Sequence, residues 1–583
     1  MTRPVRHRVL AVLASLALLA AACGDDSSEG SPGTTAAASS GSATVATTTT
    51  LAPQSGGTLV FSEYAQAVGL DPVVPPGQGT TGGIEMGAIY DTLMRFNKDT
   101  GKYEPRLAES LTSNADATEW TFKVRANVKF TDGTPYDAAA VVFGMNRHRS
   151  GTPGAPKCDE LWACPRNVQS TASFMALVKN LEAVDALTVK ATLNESWTGF
   201  PWALASEAGM IPSPTAVKKC DATKNPNTCE FNLKPVGAGP FMIDSYKSKE
   251  SITMVRNPNY WGGTVYLDGL KFVDLGDIGG AKSFDALKTG TINAGFFSVI
   301  QTIKDIRAAK LDRITFVNQA GRDLLLNNGV NVTCAAGKPE PTCTGKPDGP
   351  TPTNPVTKDA RIRQAVGAAL NVQTINERTT AGTASASTQL LQKDFRFYPD
   401  VPGPKYDPEA AKKLVAQVKS EGWDGKIRVL AGNNPEGQAL GLAIQTMLQA
   451  VGMDPQTDYV DTATNTQRVF VEKNYDIASH GMAITADDGG PLNLLQNFET
   501  KSAANRTGYS NPVVDKAIKD LRSAKTDAEK TALYKIVAEN IAKDVPIVPL
   551  WNAEYTIAAS AKVHGLVSNG RLNVLFNEAW LEK

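Results

Sequence analysis

The sequence predicts a mixed α/β fold, on three observations. Short alternating or β-branched runs mark strands, and longer runs with apolar residues at helical spacing mark helices. The two signals alternate through 425–480, as in a doubly wound lobe. Strands are expected at 57–62 (GTLVFS), 119–124 (EWTFKV), 187–192 (LTVKAT), 251–256 (SITMVR) and 270–275 (LKFVDL). Ile362, Ala365, Val366, Ala369 and Leu370 recur at i, i+3, i+4, i+7 and i+8 of one helix. Ala411, Leu414, Val415 and Val418 repeat the pattern behind Asp407-Pro408, a cap followed by a first-turn proline. Leu440, Ala443, Ile444, Met447, Leu448 and Val451 form a stripe that ends at Gly452. Thr526 and Glu529 have the spacing of a capping box before Leu533, Val537 and Ile541.

With 583 residues the chain exceeds one ordinary core, so two or three domains are expected. Lys+Arg and Asp+Glu are both 59, so no basic surplus points to nucleic acid. The four histidines (His7, His148, His480 and His564) are scattered, which argues against a His-built metal site and leaves few general bases. The chain has no Gly-x-Ser-x-Gly elbow, no His-Glu-x-x-His, no phosphate loop ending Gly-Lys-Ser/Thr and no Gly-x-Gly-x-x-Gly after a strand. No enzyme activity, cofactor or metal is therefore expected.

The N-terminus reads as an export signal. Arg3, Arg6 and Arg8 precede an apolar run over 9–22, too short for a comfortable permanent span. The ending Leu-Leu-Ala-Ala-Ala-Cys resembles a bacterial lipobox, so 1–22 is the expected signal peptide and Cys23 the lipidated residue. Residues 23–56, rich in Gly, Ser, Thr and Ala, form the expected tether. The other six cysteines fall into local pairs in loop-like stretches, Cys158 with Cys164, Cys220 with Cys229 and Cys334 with Cys343. Export favours disulfides, and the spacings are not finger-like.

Residues 90–147 closely resemble the signature region of the family 5 extracellular solute-binding proteins of ABC transporters, the class with oligopeptide-, dipeptide- and nickel-binding members. The landmarks are Tyr90-x-x-Leu93, Pro105-x-Leu-Ala-Glu-Ser110, Trp120-x-Phe-x-x-Arg125, and Val128-Lys-Phe130 before Asp132-Gly-Thr-Pro135. Pro235-Val-Gly-Ala-Gly-Pro-Phe241, Arg256-Asn-Pro-Asn-Tyr-Trp261, Arg361-x-Arg-Gln-Ala365, Tyr475-Asp-Ile477, Asn511-Pro-Val-Val-Asp515 and Pro546-Ile-Val-Pro-Leu550 follow in the family's order. Most of these have plain structural meanings. Asp132-Gly-Thr-Pro135 is a turn, Trp120, Phe122 and Phe130 are core, and Arg361 and Arg363 are structural ion-pair formers.

The resemblance implies a periplasmic-binding-protein type II-like fold, two hinged lobes plus an extra domain. Lobe I is expected at 57–95, 235–325 and 545–583, the extra domain at 96–234 and lobe III at 326–544. It further implies a monomeric receptor, lipid-anchored on the outer face of the cytoplasmic membrane, that delivers a solute to an ABC permease with separate ATPase subunits. A peptide is the expected ligand. A metal chelate, opine or sugar, or a cell-surface lipoprotein without a transport role, are the alternatives.

In peptide-binding relatives an acid in a segment resembling Trp-x-x-Asp-Tyr-x-x-Pro holds the ligand's ammonium. Here 484–491 places Asp487 four before Pro491, with Ile484 in place of the Trp and Asp488 in place of the Tyr. Those departures weigh against a standard peptide and open the site to a differently shaped amine or cation. The rival reading is a solvated Gly-rich turn. Asp488, Tyr64, Gln78 and Trp551 complete the expected ligand-binding set.

Overall fold

The computed structural model describes residues 51–67, 69–74, 82–163, 174–248, 250–334, 343–500, 502, 504–570 and 572–583. The signal segment, Cys23, the tether up to residue 50, Gln78 and Cys164 lie outside the described residues. The folded unit spans Pro53–Lys583.

The frame is a ten-stranded mixed sheet. Its order is Asp454–Val460, Lys426–Gly432, Ile477–His480, Asp312–Leu326, Ile547–Ala559, Ala294–Phe297, Thr58–Ser62, Gly269–Val273, Ser251–Arg256 and Phe241–Lys247. The expected strands form within one or two residues of the sequence reading, including 119–124 without a shift. Lys426–Gly432 runs parallel to both of its neighbours, the doubly wound pattern expected for 425–480. Thr58–Ser62 is likewise parallel to Gly269–Val273 and to Ala294–Phe297.

Two long antiparallel strands, Asp312–Leu326 and Ile547–Ala559, join the two halves of the sheet. Their register shifts between Asn318 and Arg322. Gly321 is obligatory there, since a Cβ would lie 2.1 Å from the backbone nitrogen of Ala553. Beyond the bulge alternation resumes. Leu325 enters one apolar cluster with Tyr475, Ile484 and Tyr534, while Leu324 and Leu326 enter another with Ile362, Ile444 and Trp551.

A second sheet, ordered Ala108–Ser113, Glu119–Val124, Thr188–Leu193 and Val178–Ala183, buries Trp120 and Phe122 together with Phe130, Phe200 and Trp202. Leu492, from the helix Gly490–Phe498, inserts into this same cluster. The contact is reinforced at the backbone, where Thr198 N donates to Arg522 O at 2.9 Å. It is also reinforced by charge, with Arg522 2.6 Å from Glu195.

Helix ends follow the sequence signals. Asp407 accepts from Ala410 N ahead of the helix Pro408–Ser420, and the capping box at Thr526 and Glu529 opens the helix Asp527–Asp544. Arg361 pairs with Asp359 and Glu421, and Arg363 donates to the carbonyls of Thr357, Lys358 and Asp544. Arg361 forms the expected structural ion pairs, whereas Arg363 is held by backbone carbonyls and by no ion pair among the described residues. Disulfides join Cys220 to Cys229 and Cys334 to Cys343, and Cys158 is also disulfide-bonded. No helix among the described residues is long and apolar enough to cross a membrane.

Candidate ligand-binding cleft

The central strand pair forms the floor of a cleft. Phe316 faces Tyr555 and Asn318 faces Ala553 across the ladder, so these four side chains share one face. Val317 and Glu554 take the other face, where Glu554 pairs with Arg307.

Asp487 reaches this floor through a locally determined turn. Gln319 and Ile484 exchange backbone hydrogen bonds of 3.0 and 3.3 Å, laying the chain along the floor strand. The helix Gly490–Phe498, with Pro491 in its first turn, then leads the chain away. Between them Asp487 Oδ1 accepts from Thr485 Oγ1 at 2.6 Å and from Gly489 N at 2.9 Å. The two glycines that follow are dictated by packing. A Cβ on Gly489 would lie 2.5 Å from the Trp202 ring, and one on Gly490 would lie 2.4 Å from the Tyr534 hydroxyl. Asp487 is 7% exposed, so the turn is a packed one.

Asp487 lines a cavity of about 370 Å³ with Phe96, Arg396, Phe316, Asn318 and Leu572. Tyr64 and Trp551 line a second cavity of about 470 Å³ with Arg322, Glu436 and Tyr555. Both border the floor strands: Asn318 lines the first, and its ladder partner Ala553 lines the second. Of the five residues expected from sequence, Asp487 lines the first cavity and Tyr64 and Trp551 line the second. Tyr64 is half-buried, its ring set edge-on to Phe296 at 5.6 Å. Trp551 is 3% exposed. Asp488 is bound by Lys530 at 2.5 Å and is not among the residues lining the Asp487 cavity.

Aromatic lining of the Asp487 cavity comes from Phe96 and Phe316, distant in sequence from Ile484 and Asp488. Tyr103 sits on the hairpin Met94–Asn97/Lys102–Pro105, its ring 5.2 Å from that of Phe96, and Tyr534 stacks on Phe397. Burial pushes both phenols well above their usual range, and the charges of Asp488 and Asp487 add to it, so both rings remain neutral. Arg396 lies over Phe397 and pairs with Asp527 at 3.0 Å, at the solvent side of the cavity. Sequence reading missed Phe96, Arg396, Phe316, Asn318 and Tyr555. Phe96 and Tyr103 alternate around Asp99-Thr-Gly101, a hairpin signal that gives the turn but not its partner across the cleft.

Among the described residues no group of three or more His, Cys, Asp or Glu could hold a metal ion. The cleft thus offers a fixed carboxylate, aromatic walls and a bulged polar floor, which are means of holding a solute.

Comparison with known proteins agrees. The model for "Bacterial extracellular solute-binding proteins, family 5 Middle" matches residues 102–506. The chain is 25% identical over 538 residues to the heme-binding protein A of Haemophilus influenzae, covering 88% of this chain and 90% of that protein. It is 24% identical over 488 residues to the glutathione-binding protein GsiB of Shigella dysenteriae, covering 82% and 86%. Among solved structures, the periplasmic binding protein DppA from Helicobacter pylori with peptide STSA superposes with a TM-score of 0.70 at 24% identity, covering 91% of this chain and 99% of that one. The oligopeptide-binding protein AppA from Bacillus subtilis, with a nonapeptide, gives 0.69 at 20% identity, covering 91% and 100%. The fold is thus of the periplasmic-binding-protein type II class, and the chain belongs to the bacterial extracellular solute-binding proteins of family 5, solute-capturing components of ABC importers rather than enzymes.

Proposed function

We propose that the protein captures a peptide, or another solute with a cationic group, in the cleft along the central strand pair and delivers it to an ABC permease driven by separate ATPase subunits. The observation that carries this reading is the Asp487 carboxylate, fixed by Thr485 and Gly489 at the wall of a cavity that borders the floor strands. A carboxylate in such a place favours a cation, because burying an unpaired ammonium is costly. Solved neighbours hold peptides, and one, NikZ from Campylobacter jejuni, holds Ni(L-His). The loss of the Trp and Tyr flanking the acid supports a second reading, a compact non-peptide amine or chelate. The lobes of this reading are 57–95, 235–325 and 545–583 for lobe I and 326–544 for lobe III, with 96–234 as the extra domain.

Mass spectrometry of protein purified without denaturation tests the function. A copurifying small molecule is expected, recovered unchanged after incubation and raising Tm when added back. Conversion of that molecule into a product, or the lack of any saturable ligand, overturns the proposal.

The receptor acts as a monomer, held to the outer membrane face by a lipid on Cys23 and the tether that follows. Cys23→Ala is expected to release the protein into the medium, and firm membrane retention of that variant contradicts the anchor.

A further inference from the structure

Glu63 and Glu85 form a buried acidic pair that solute capture does not use. Glu63 follows the strand Thr58–Ser62 and immediately precedes Tyr64 of the cleft. Its amide donates to Val273 O at 2.9 Å, at the end of the parallel neighbour strand. Glu85 lies in the first turn of the helix Gly83–Tyr90, every residue of which is buried. The two residues are 5% and 3% exposed.

The two side chains lie side by side, each perturbing the titration of the other. Oε2 of each is buried without a hydrogen-bond partner. Neither carboxyl takes part in an ion pair among the described residues, which include 25 such pairs. The other titratable groups that bear on them are Asp274, next to the end of the strand Gly269–Val273, and Tyr246, on the strand Phe241–Lys247. One of these is acidic and the other neutral, so no cation offsets the charge.

Two buried carboxylates in contact, with no cation beside them, face both a desolvation cost and mutual repulsion. A single proton relieves both. It neutralises one group, and the resulting O–H donates to the carboxylate of the other. We infer that Glu63 and Glu85 hold one proton between them at neutral pH, and that this shared proton ties the strand end beside Tyr64 to the buried helix Gly83–Tyr90. The proton comes from solvent on folding and returns to it on unfolding.

The direction of the titration agrees. Burial raises both carboxyls above their usual range, and the charge of Glu85 raises Glu63 further. The unfolded chain gives up both protons near the ordinary glutamate value of about 4.3. The folded state therefore binds more protons above that value. The contribution to stability is complete on the acid side and is lost as pH rises through the folded values.

Calorimetric unfolding at neutral pH, in buffers of contrasting ionisation enthalpy, counts the protons released. Wild-type protein is expected to release about one proton more than Glu85→Gln, whose amide keeps a donor toward Glu63. Glu63→Gln is expected to give the same result, which covers the case in which one variant fails to fold. Comparison with variants cancels the opposite contribution of His148 and His480, which burial lowers to about 3. Equal proton release by wild type and a folded variant overturns the inference. So does the absence, from native wild-type protein at neutral pH, of any infrared carbonyl band of a protonated carboxyl group, whatever the variants do.

Discussion

Arg147→Met is expected to destabilise the protein by about 3–5 kcal/mol, because it strands a buried carboxylate. Arg147 is 1% exposed and Asp71 is 2% exposed. Their contact is a two-pronged one, Nη1 to Oδ1 and Nη2 to Oδ2, each 2.7 Å. Arg147 Nε also donates to Leu161 O at 3.0 Å, and Nη2 to Trp162 O at 3.0 Å. The guanidinium thus ties the last turn of the helix Ala138–Arg149, which lies against the four-stranded sheet, to the segment after the strand Thr58–Ser62.

The sign of the effect depends on which partner is removed. Taking away the cation leaves Asp71 charged and buried without its partner. Removing both charges at once, in Asp71→Leu/Arg147→Met, eliminates that cost, and well-packed apolar replacements of buried pairs are often neutral. The double variant is therefore expected to be more stable than Arg147→Met alone. Chemical denaturation of the three proteins checks this. A loss below about 1 kcal/mol for Arg147→Met would place the pair in the range of exposed salt bridges and refute the argument.

How much was legible in the sequence depended on whether an element has a wet face. Glu119–Val124 alternates between core and solvent, and its sequence alternates accordingly, so it was read to the residue. The helices Pro408–Ser420 and Asp527–Asp544 carry caps and one dry face each, and both were read from those signals. The helix Gly83–Tyr90 has no wet face, and its sequence, GIEMGAIY, has no amphipathic period to detect. The central strands escaped for a related reason. Asp312–Leu326 carries Asn318, Gln319, Arg322 and Asp323 around a bulge at Gly321, and Ile547–Ala559 contains Pro549. Polar residues and a bulge interrupt the period that marks a strand, yet they are what makes this pair a cleft floor. The same limit applies to the site. Asp487 is proposed from its spacing to Pro491, a local relation. Phe96, Arg396 and Tyr555 reach the cleft only through pairings between segments distant in sequence, which no local pattern encodes.

Asp487→Asn is expected to weaken binding of a ligand with a free ammonium by about 2–5 kcal/mol, a loss of roughly 30-fold to several-thousand-fold in Kd. The substitution nearly preserves shape. Asparagine can keep the acceptor that Thr485 and Gly489 now use, so the turn into the helix Gly490–Phe498 is retained while the charge is lost. Asp488→Asn is the matched control. That residue is engaged by Lys530, 2.5 Å away, so neutralising it disturbs the contact with the helix Asp527–Asp544 and not the cavity wall. Calorimetry with a short peptide bearing a free N-terminus, and with its N-acetylated counterpart, separates charge recognition from packing. Wild-type protein should prefer the free amine, Asp487→Asn should lose that preference, and Asp488→Asn should keep it. An unchanged preference in Asp487→Asn, with the free peptide bound by all three proteins, would move the ammonium site away from this turn. Arg396 supplies an independent check on orientation. Its guanidinium lines the same cavity and is held by Asp527, which is itself well exposed and so surrenders it at little cost. Arg396→Gln should therefore weaken a ligand with a free carboxylate while leaving the preference for a free ammonium intact. Loss of both preferences together would mean that Arg396 shapes the pocket through the Phe397 stack rather than by its charge.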